Sequence, residues 1–324
     1  MKQFFQIVFG GLAIVVFSMA IIMGLSRVGG SAGSWLSNIR NSNFLASAGE
    51  AIMKTSDGTA ISGLKRVIRY SADEEEGLIS AATLALPVGA DNRVTADGYI
   101  VKNLTVGGSV VTEHNSDKAM PIASLTKLIT ASVARKLIDT NKKITISKKI
   151  IDTYGNTAQF KVGETYRAGD LYYPLLMVSS NDAAEAFAES YGRKQFMQAM
   201  NDFAQSIGAY RTYFADPSGL SPENVSTPND LTIILDWIRK NDPEILTITE
   251  LKAKTIKLHT WVNPTHFLNW SNYLGGKNGY TPEADRTGAA IFAMGPRKNV
   301  YAIVILGSST RDEDMVKLMS KVRE

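Results

Sequence analysis

Ser124 and Lys127 stand three residues apart at the head of a run in which Leu125, Leu128, Ile129, Ala131, Val133 and Leu137 recur at helical spacing. The pattern predicts a buried helix from about Ser124 to Leu137. Pro121 lies just ahead of it, where a missing N–H does no harm. Residues three apart share a helix face, so a hydroxyl and an amine meet at the positive end of a helix, among free backbone N–H groups. A nucleophile and its base need that proximity. A free lysine has a pKa of about 10.4, and keeping it neutral near pH 7 costs roughly 4 kcal/mol. Burial, the helix end and a second cation are the means of supplying that shift.

Ser-x-x-Lys alone is a weak pattern, and the chain holds another at Ser62 to Lys65 with nothing around it. Ser124 has company. Ser179-Ser180-Asn181 follows about 55 residues later, and Lys277-Asn278-Gly279 about 98 residues after that. The local patterns say which elements carry these groups. Ala168 to Val178 reads as a helix that delivers Ser179-Ser180-Asn181. The next helix, Asp182 to Tyr191, turns Ala184, Phe187, Ala188 and Tyr191 inward. Thr227-Pro228-Asn229-Asp230 opens a helix that runs to Arg239, with a capping threonine and proline at the first helical position. Strands lie at both ends of this helical middle. Tyr99 to Leu104 and Ser109 to Thr112 flank Gly107-Gly108, a hairpin signal. Asn272 to Pro282 carries Lys277-Asn278-Gly279. Gly288 to Met294 and Val300 to Leu306 form a second hairpin, and Asp312 to Val322 a last helix. An α+β fold satisfies that order: an antiparallel sheet built from both chain ends, helices on one side and a helical subdomain beside it.

With 324 residues, 44% of them apolar, the chain can build one substantial core or two modest ones. A net charge of +4, without a basic run or an aromatic-interleaved basic patch, argues against a nucleic-acid partner. The absence of cysteine excludes disulfides, thiol catalysis and cysteine zinc sites. His114, His259 and His266 show no metal-ligand spacing and read as surface or supporting residues. Phe4 to Leu25 carries no charge over 22 residues and is long enough to cross a bilayer core of about 30 Å, so residues 1–27 read as a membrane anchor or, alternatively, a signal segment cut near Gly30-Ser31-Ala32. Residues 28–93 form a linker with a glycine-serine hinge at 29–34. Residues 94–324 are the chemical domain.

From about Val94 to Arg311 the sequence resembles the D-alanyl-D-alanine carboxypeptidases, the low-molecular-mass penicillin-binding proteins of the β-lactamase and transpeptidase superfamily. The resemblance rests on Met120 to Thr130, on Gly163-Glu164-Thr165-Tyr166 with Asp170-Leu171 and Ser179 to Ala184, on Phe214 to Leu220, and on Gly276 to Thr281. It implies serine acyl transfer on the D-Ala-D-Ala end, or the D-amino-acid crosslink, of peptidoglycan stem peptides, with β-lactams as inhibitors and no metal or cofactor. Ser124 would be the nucleophile and Lys127 its base. Ser179 would relay a proton to the leaving amine, and Asn181 would hold Lys127 and the substrate amide. Lys277, Asn278, Gly279 and Thr281 would line the substrate, Lys277 adding positive field and Gly279 letting the substrate backbone pair with its strand. The oxyanion would sit on backbone N–H groups, one of them Ser124's own. The catalytic domain would lie outside the cytoplasmic membrane. Asp182 reads as structural and Tyr280 as a wall residue.

Two departures stand out. Asn278 occupies the place of a family threonine. Val300 stands at the place of a family arginine at the start of the last strand, with Arg297 and Lys298 in the turn beside it. Carboxylate recognition is therefore expected to be weakened or rebuilt. Two other readings stay open at this point: a serine β-lactamase, for which Glu223 is a poor candidate base, and a degenerate wall-binding relative.

Overall fold

The computed structural model describes residues 93–322 apart from Val106. The apolar run 4–25, the hinge at 29–34, the second Ser-x-x-Lys at Ser62 and the rest of the linker lie outside the described residues. Among the described residues no helix is long and apolar enough to cross a membrane.

The chain opens with β1 (Gly98–Asn103), β2 (Val110–His114) and β3 (Met120–Pro121), then a 3-10 turn at Ala123–Leu125 and α1 (Thr126–Leu137). A helical stretch follows: β4 (Lys143–Thr145), α2 (Lys148–Ile151), β5 (Thr165–Arg167), α3 (Ala168–Met177), α4 (Asn181–Tyr191) and α5 (Arg193–Ser206). After β6 (Val225–Ser226) come α6 (Pro228–Asn241), α7 (Glu244–Glu250) and the hairpin β7 (Ala253–Ile256) and β8 (His259–Val262). The chain closes with β9 (Tyr273–Thr281), β10 (Asp285–Met294), β11 (Asn299–Ser308) and α8 (Arg311–Met319).

Five strands make one antiparallel sheet in the order β2-β1-β11-β10-β9. The N-terminal hairpin joins the C-terminal strand directly, Gly98 opposite Leu306, so both chain ends build the sheet as expected. Its faces are both covered, which differs from the expectation of helices on one side. Ala289, Ile291, Ala302 and Val304 face a core shared with α6 and the helical body. Ala290, Phe292, Ile303 and Ile305 face a second core closed by Met315 and Leu318 of α8. Double coverage explains why Tyr301 to Leu306 is apolar without alternation. β9 is left as an edge strand.

The helical body is threaded by α1, buried from Thr126 to Ala134. Its internal hydroxyls are satisfied: Thr130 donates to the Pro217 carbonyl at 2.6 Å and Ser132 to the Leu128 carbonyl at 3.0 Å. At α6 the Thr227 hydroxyl accepts from the Asp230 N–H at 3.0 Å, with Pro228 in the first turn as predicted. Asp230 is itself buried and accepts from the Arg211 N–H and the Thr212 hydroxyl, tying down the preceding loop. Tyr191 is exposed instead of inward-facing, because α4 ends there at Gly192.

Candidate active site

Ser124 does not lie in the α-helix that its periodicity predicts. Ala123 has φ +47°, a left-handed conformation that breaks the backbone, so Ser124 sits in its own 3-10 turn and α1 begins at Thr126. Two glycines make that strained turn possible. A Cβ on Gly219, itself at φ +87°, would fall 1.9 Å from the Ala123 carbonyl oxygen. A Cβ on Gly279 would fall 2.8 Å from the Ser124 nitrogen and 2.5 Å from the Thr287 hydroxyl. The edge strand β9 thus passes directly beside the Ser124 N–H.

Lys127 is buried and its Nζ meets three groups: Ser124 Oγ at 3.0 Å, Asn181 Oδ1 at 2.8 Å and the Ser218 carbonyl oxygen at 2.6 Å. Two of these only accept. A neutral amine donates to both and keeps its lone pair for the third, the hydroxyl, which can donate back. The electrostatics favour that form. Burial pushes the Lys127 pKa well below the usual lysine value, Lys277 adds to the shift, and Asp216 opposes it.

Asp216 is the anchor of this wall. Although burial works against its charge, its carboxylate is held below the ordinary range by hydrogen bonds from the Ser218 hydroxyl and from the N–H groups of Ser221, Ser218 and Gly219, at 2.7–2.8 Å. The loop it organises presents the Ser218 carbonyl to Lys127 and Gly219 to Ala123. Asn224 closes it from behind, accepting from the Ala215 and Asp216 N–H groups and donating to the Asp216 carbonyl and the Thr126 hydroxyl. Sequence reasoning quoted Phe214 to Leu220 without giving it a task. Asp-Pro-Ser-Gly, a dense turn signal, was the clue.

At the α3–α4 junction the capping residue is Ser180, whose hydroxyl accepts from the Ala183 N–H at 3.1 Å. That leaves its neighbours for other work. Asn181 offers Oδ1 to Lys127, and its Nδ2 donates to the Tyr154 carbonyl at 2.7 Å. Ser179 is held at φ +57°, and its buried hydroxyl makes no hydrogen bond among the described residues, an expensive state outside a functional site. Asp182 is buried inside α4 with neither oxygen paired among the described residues, and burial raises its pKa to about 6.

On the strand side, Lys277 is buried with Nζ donating to the Asn278 carbonyl at 2.6 Å. Burial first, and the Arg311 charge second, lower its pKa to about 7. Asn278 is half-buried opposite Gly288, and its side chain makes no hydrogen bond among the described residues. Thr281 ends the strand, and its hydroxyl accepts from the Ala284 N–H at 3.2 Å, which makes it a turn residue more than a lining one.

The rebuilt cation is not where the sequence suggested. Val300 pairs with Ala293, whereas the strand position level with Asn278 and Gly288 is Ile305. Five residues at about 3.3 Å each put Val300, Arg297 and Lys298 some 17 Å away along the sheet. The cation beside that strand position is Arg311, in the first turn of α8. Its Cδ would lie 2.9 Å from a Cβ on Gly288, the partner of Asn278, and its charge reaches Lys277. Nε donates to Asp312 at 2.7 Å, and its two terminal nitrogens have no hydrogen-bond partner among the described residues. Only the sheet register reveals this, because Arg311 is 34 residues from Lys277 and in another element. The histidines form ordinary pairs, His259 with Glu164 and His266 with Asp312. Among the described residues no cluster of three or more His, Cys, Asp or Glu could hold a metal.

A family model described as D-alanyl-D-alanine carboxypeptidase matches residues 86–310. A D-alanyl-D-alanine endopeptidase of Escherichia coli is 31% identical over 215 residues, covering 64% of this chain and 67% of the relative. A D-alanyl-D-alanine carboxypeptidase of Streptomyces sp. strain K15 is 30% identical over 275 residues, covering 75% and 93%. The crystal structure of the Streptomyces K15 DD-transpeptidase superposes with a TM-score of 0.66 at 28% identity, over 71% of this chain and 97% of that one. Penicillin-binding protein D2 from Listeria monocytogenes, in its cefotaxime-bound form, gives 0.64 at 26%, over 71% and 97%.

Proposed function

The chain belongs to the D-alanyl-D-alanine carboxypeptidase family, and from that premise we propose that it is a serine D,D-peptidase that cleaves peptidoglycan stem peptides through an acyl-enzyme on Ser124. The observation that carries the reading is the three-way contact of a buried, charge-depleted Lys127 with Ser124, Asn181 and the Ser218 carbonyl. As the Ser124 Oγ–C bond forms, the hydroxyl proton passes to the Lys127 lone pair. Negative charge develops on the carbonyl oxygen beside the Ser124 N–H, in the space that Gly279 leaves open. The C–N bond then breaks and the departing nitrogen takes up the proton held by Lys127, with the Ser179 hydroxyl as the available carrier, which returns Lys127 to its neutral form. Water attacks the ester, Lys127 again taking the proton, and Ser124 is restored. Lys277, Asn278 and Arg311 form the receptor for a carboxylate on the leaving residue.

Mass spectrometry after labelling with a radioactive or fluorescent penicillin tests this directly. A lasting adduct on Ser124 is expected. An adduct on Ser179, or fast turnover without one, would overturn the assignment. Relatives named for carboxypeptidase and for endopeptidase activity both resemble this chain. Product analysis on purified peptidoglycan separates free D-Ala from opened crosslinks. The apolar run 4–25 further supports a membrane-anchored enzyme with its catalytic domain outside the cytoplasm. Fractionation that recovers soluble protein beginning near Gly33 would replace the anchor with a cleaved signal.

A further inference from the structure

Resting on the peptidase reading above, we propose that Arg286, held over the Tyr280 ring, is a specificity-determining residue that recognises a carboxylate on the acyl-donor arm of the substrate. The direction of the cleft follows from the register. Gly279 lies beside the Ser124 nitrogen and so marks the scissile carbonyl. Asn278, with Arg311 next to its strand partner Gly288, lies on the lower-numbered side, which is the side of the leaving residue. The donor arm must therefore run the other way, past Tyr280 and Thr281 toward the β9–β10 turn, along the free edge of β9.

Arg286 stands at that turn, directly opposite Tyr280 in the register. Its guanidinium carbon lies 5.8 Å from the Tyr280 ring centroid, and Tyr280 is 61% exposed for an aromatic beside a catalytic strand. Neighbouring strands are about 4.8 Å apart, so the Arg286 backbone on β10 is two strand spacings from a peptide added to the edge of β9, and its guanidinium over the Tyr280 ring spans part of that gap. The group is preorganised. Its Nη1 donates to the Ser309 carbonyl at 3.0 Å and has Asp285 Oδ1 at 3.5 Å, a carboxylate that also accepts from the Arg286 N–H at 2.9 Å. Nε and Nη2 make no hydrogen bond among the described residues. Two fixed donors on one planar cation match one carboxylate. Stacking on the ring limits the freedom lost on binding. The side chain is half exposed, so solvent screens the contact and a modest preference is expected.

The test uses two synthetic donor peptides that differ only in a side carboxylate two or three residues before the scissile bond, free in one and amidated in the other. Wild-type protein should show a kcat/KM about tenfold higher for the free acid, and R286Q should bring the two peptides level, with R286K in between. Equal rates in the wild type, or a preference that survives R286Q, would overturn the inference while penicillin labelling of Ser124 still upholds the peptidase reading. A wild-type protein that cleaves neither peptide and takes no penicillin would remove both.

Discussion

The two walls of the cleft are built differently. On the helical wall the groups around Lys127 are densely paired, with the Ser179 hydroxyl and the Asp182 carboxylate as exceptions among the described residues: Lys127 has three partners, Asp216 holds a loop by its backbone, Asn224 bridges that loop to α1, and Asn181 is engaged at both ends. On the strand wall the charged and polar groups are sparsely paired. Among the described residues, the Asn278 side chain has no partner, Arg311 keeps two nitrogens without one, and Lys277 reaches only its neighbour's carbonyl. On the proposed reading, the wall that would move protons is largely fixed before substrate arrives, and the wall that would read substrate keeps donors unspent. That difference says where substitutions should be fatal and where they should retune.

Lys127→Ala removes the base from the rigid wall and should lower acylation by about 10³-fold with the fold retained. Stopped-flow penicillin acylation checks it, and rates within a few-fold of wild type over pH 6–9 would show that the walls do not divide the work this way. Gly219→Ala comes next. The added Cβ meets the Ala123 carbonyl at 1.9 Å in a left-handed backbone, so the Ser124 turn must shift, and acylation should fall by about 10²-fold. Circular dichroism with the same kinetic assay distinguishes a displaced turn from an unfolded chain.

On the strand wall the effect should appear as a pH profile. Acylation needs Lys127 neutral, so the rate falls as pH drops through its lowered pKa. Lys277 binds a carboxylate only when charged, so kcat/KM for a free terminal carboxylate should decline as pH rises through about 7. A substrate amidated at that terminus should lack the descending limb. The same lysine bears on stability. Between about pH 7 and its unfolded value near 10.4, the unfolded chain holds a proton that the fold does not, so stability rises with pH across that window. The smallest change is Asn278→Thr. A strand-favouring residue with a hydroxyl nearer the backbone should raise acylation by a free-carboxylate substrate about tenfold and leave a crosslinked one little altered. A variant slower on both would make Asn278 an adapted part of the receptor.

The sequence by itself determined the parts whose cause is local. Helical periodicity marked α1, α3 and α4, and proline and threonine marked the start of α6. Turn glycines marked the β1–β2 and β10–β11 hairpins, and the three short motifs named Ser124, Lys127, Ser179, Asn181 and Lys277. It missed α5, α7 and the β7–β8 hairpin, and it put Ser124 inside a helix. Tertiary structure decided what depends on residues far apart in the chain. The left-handed Ala123 exists because Gly219 and Gly279 leave room for it. Asp216 matters because its loop faces a lysine 89 residues earlier, across a buried interface. Arg311, and not Arg297 or Lys298 beside Val300, lies next to the strand partner of Asn278, because strand register, not proximity in sequence, decides which side chains sit level with it. Periodicity and turn chemistry are written in neighbouring residues. Which cation faces which carboxylate is set by sheet pairing and burial, and these follow from the packing of the whole chain.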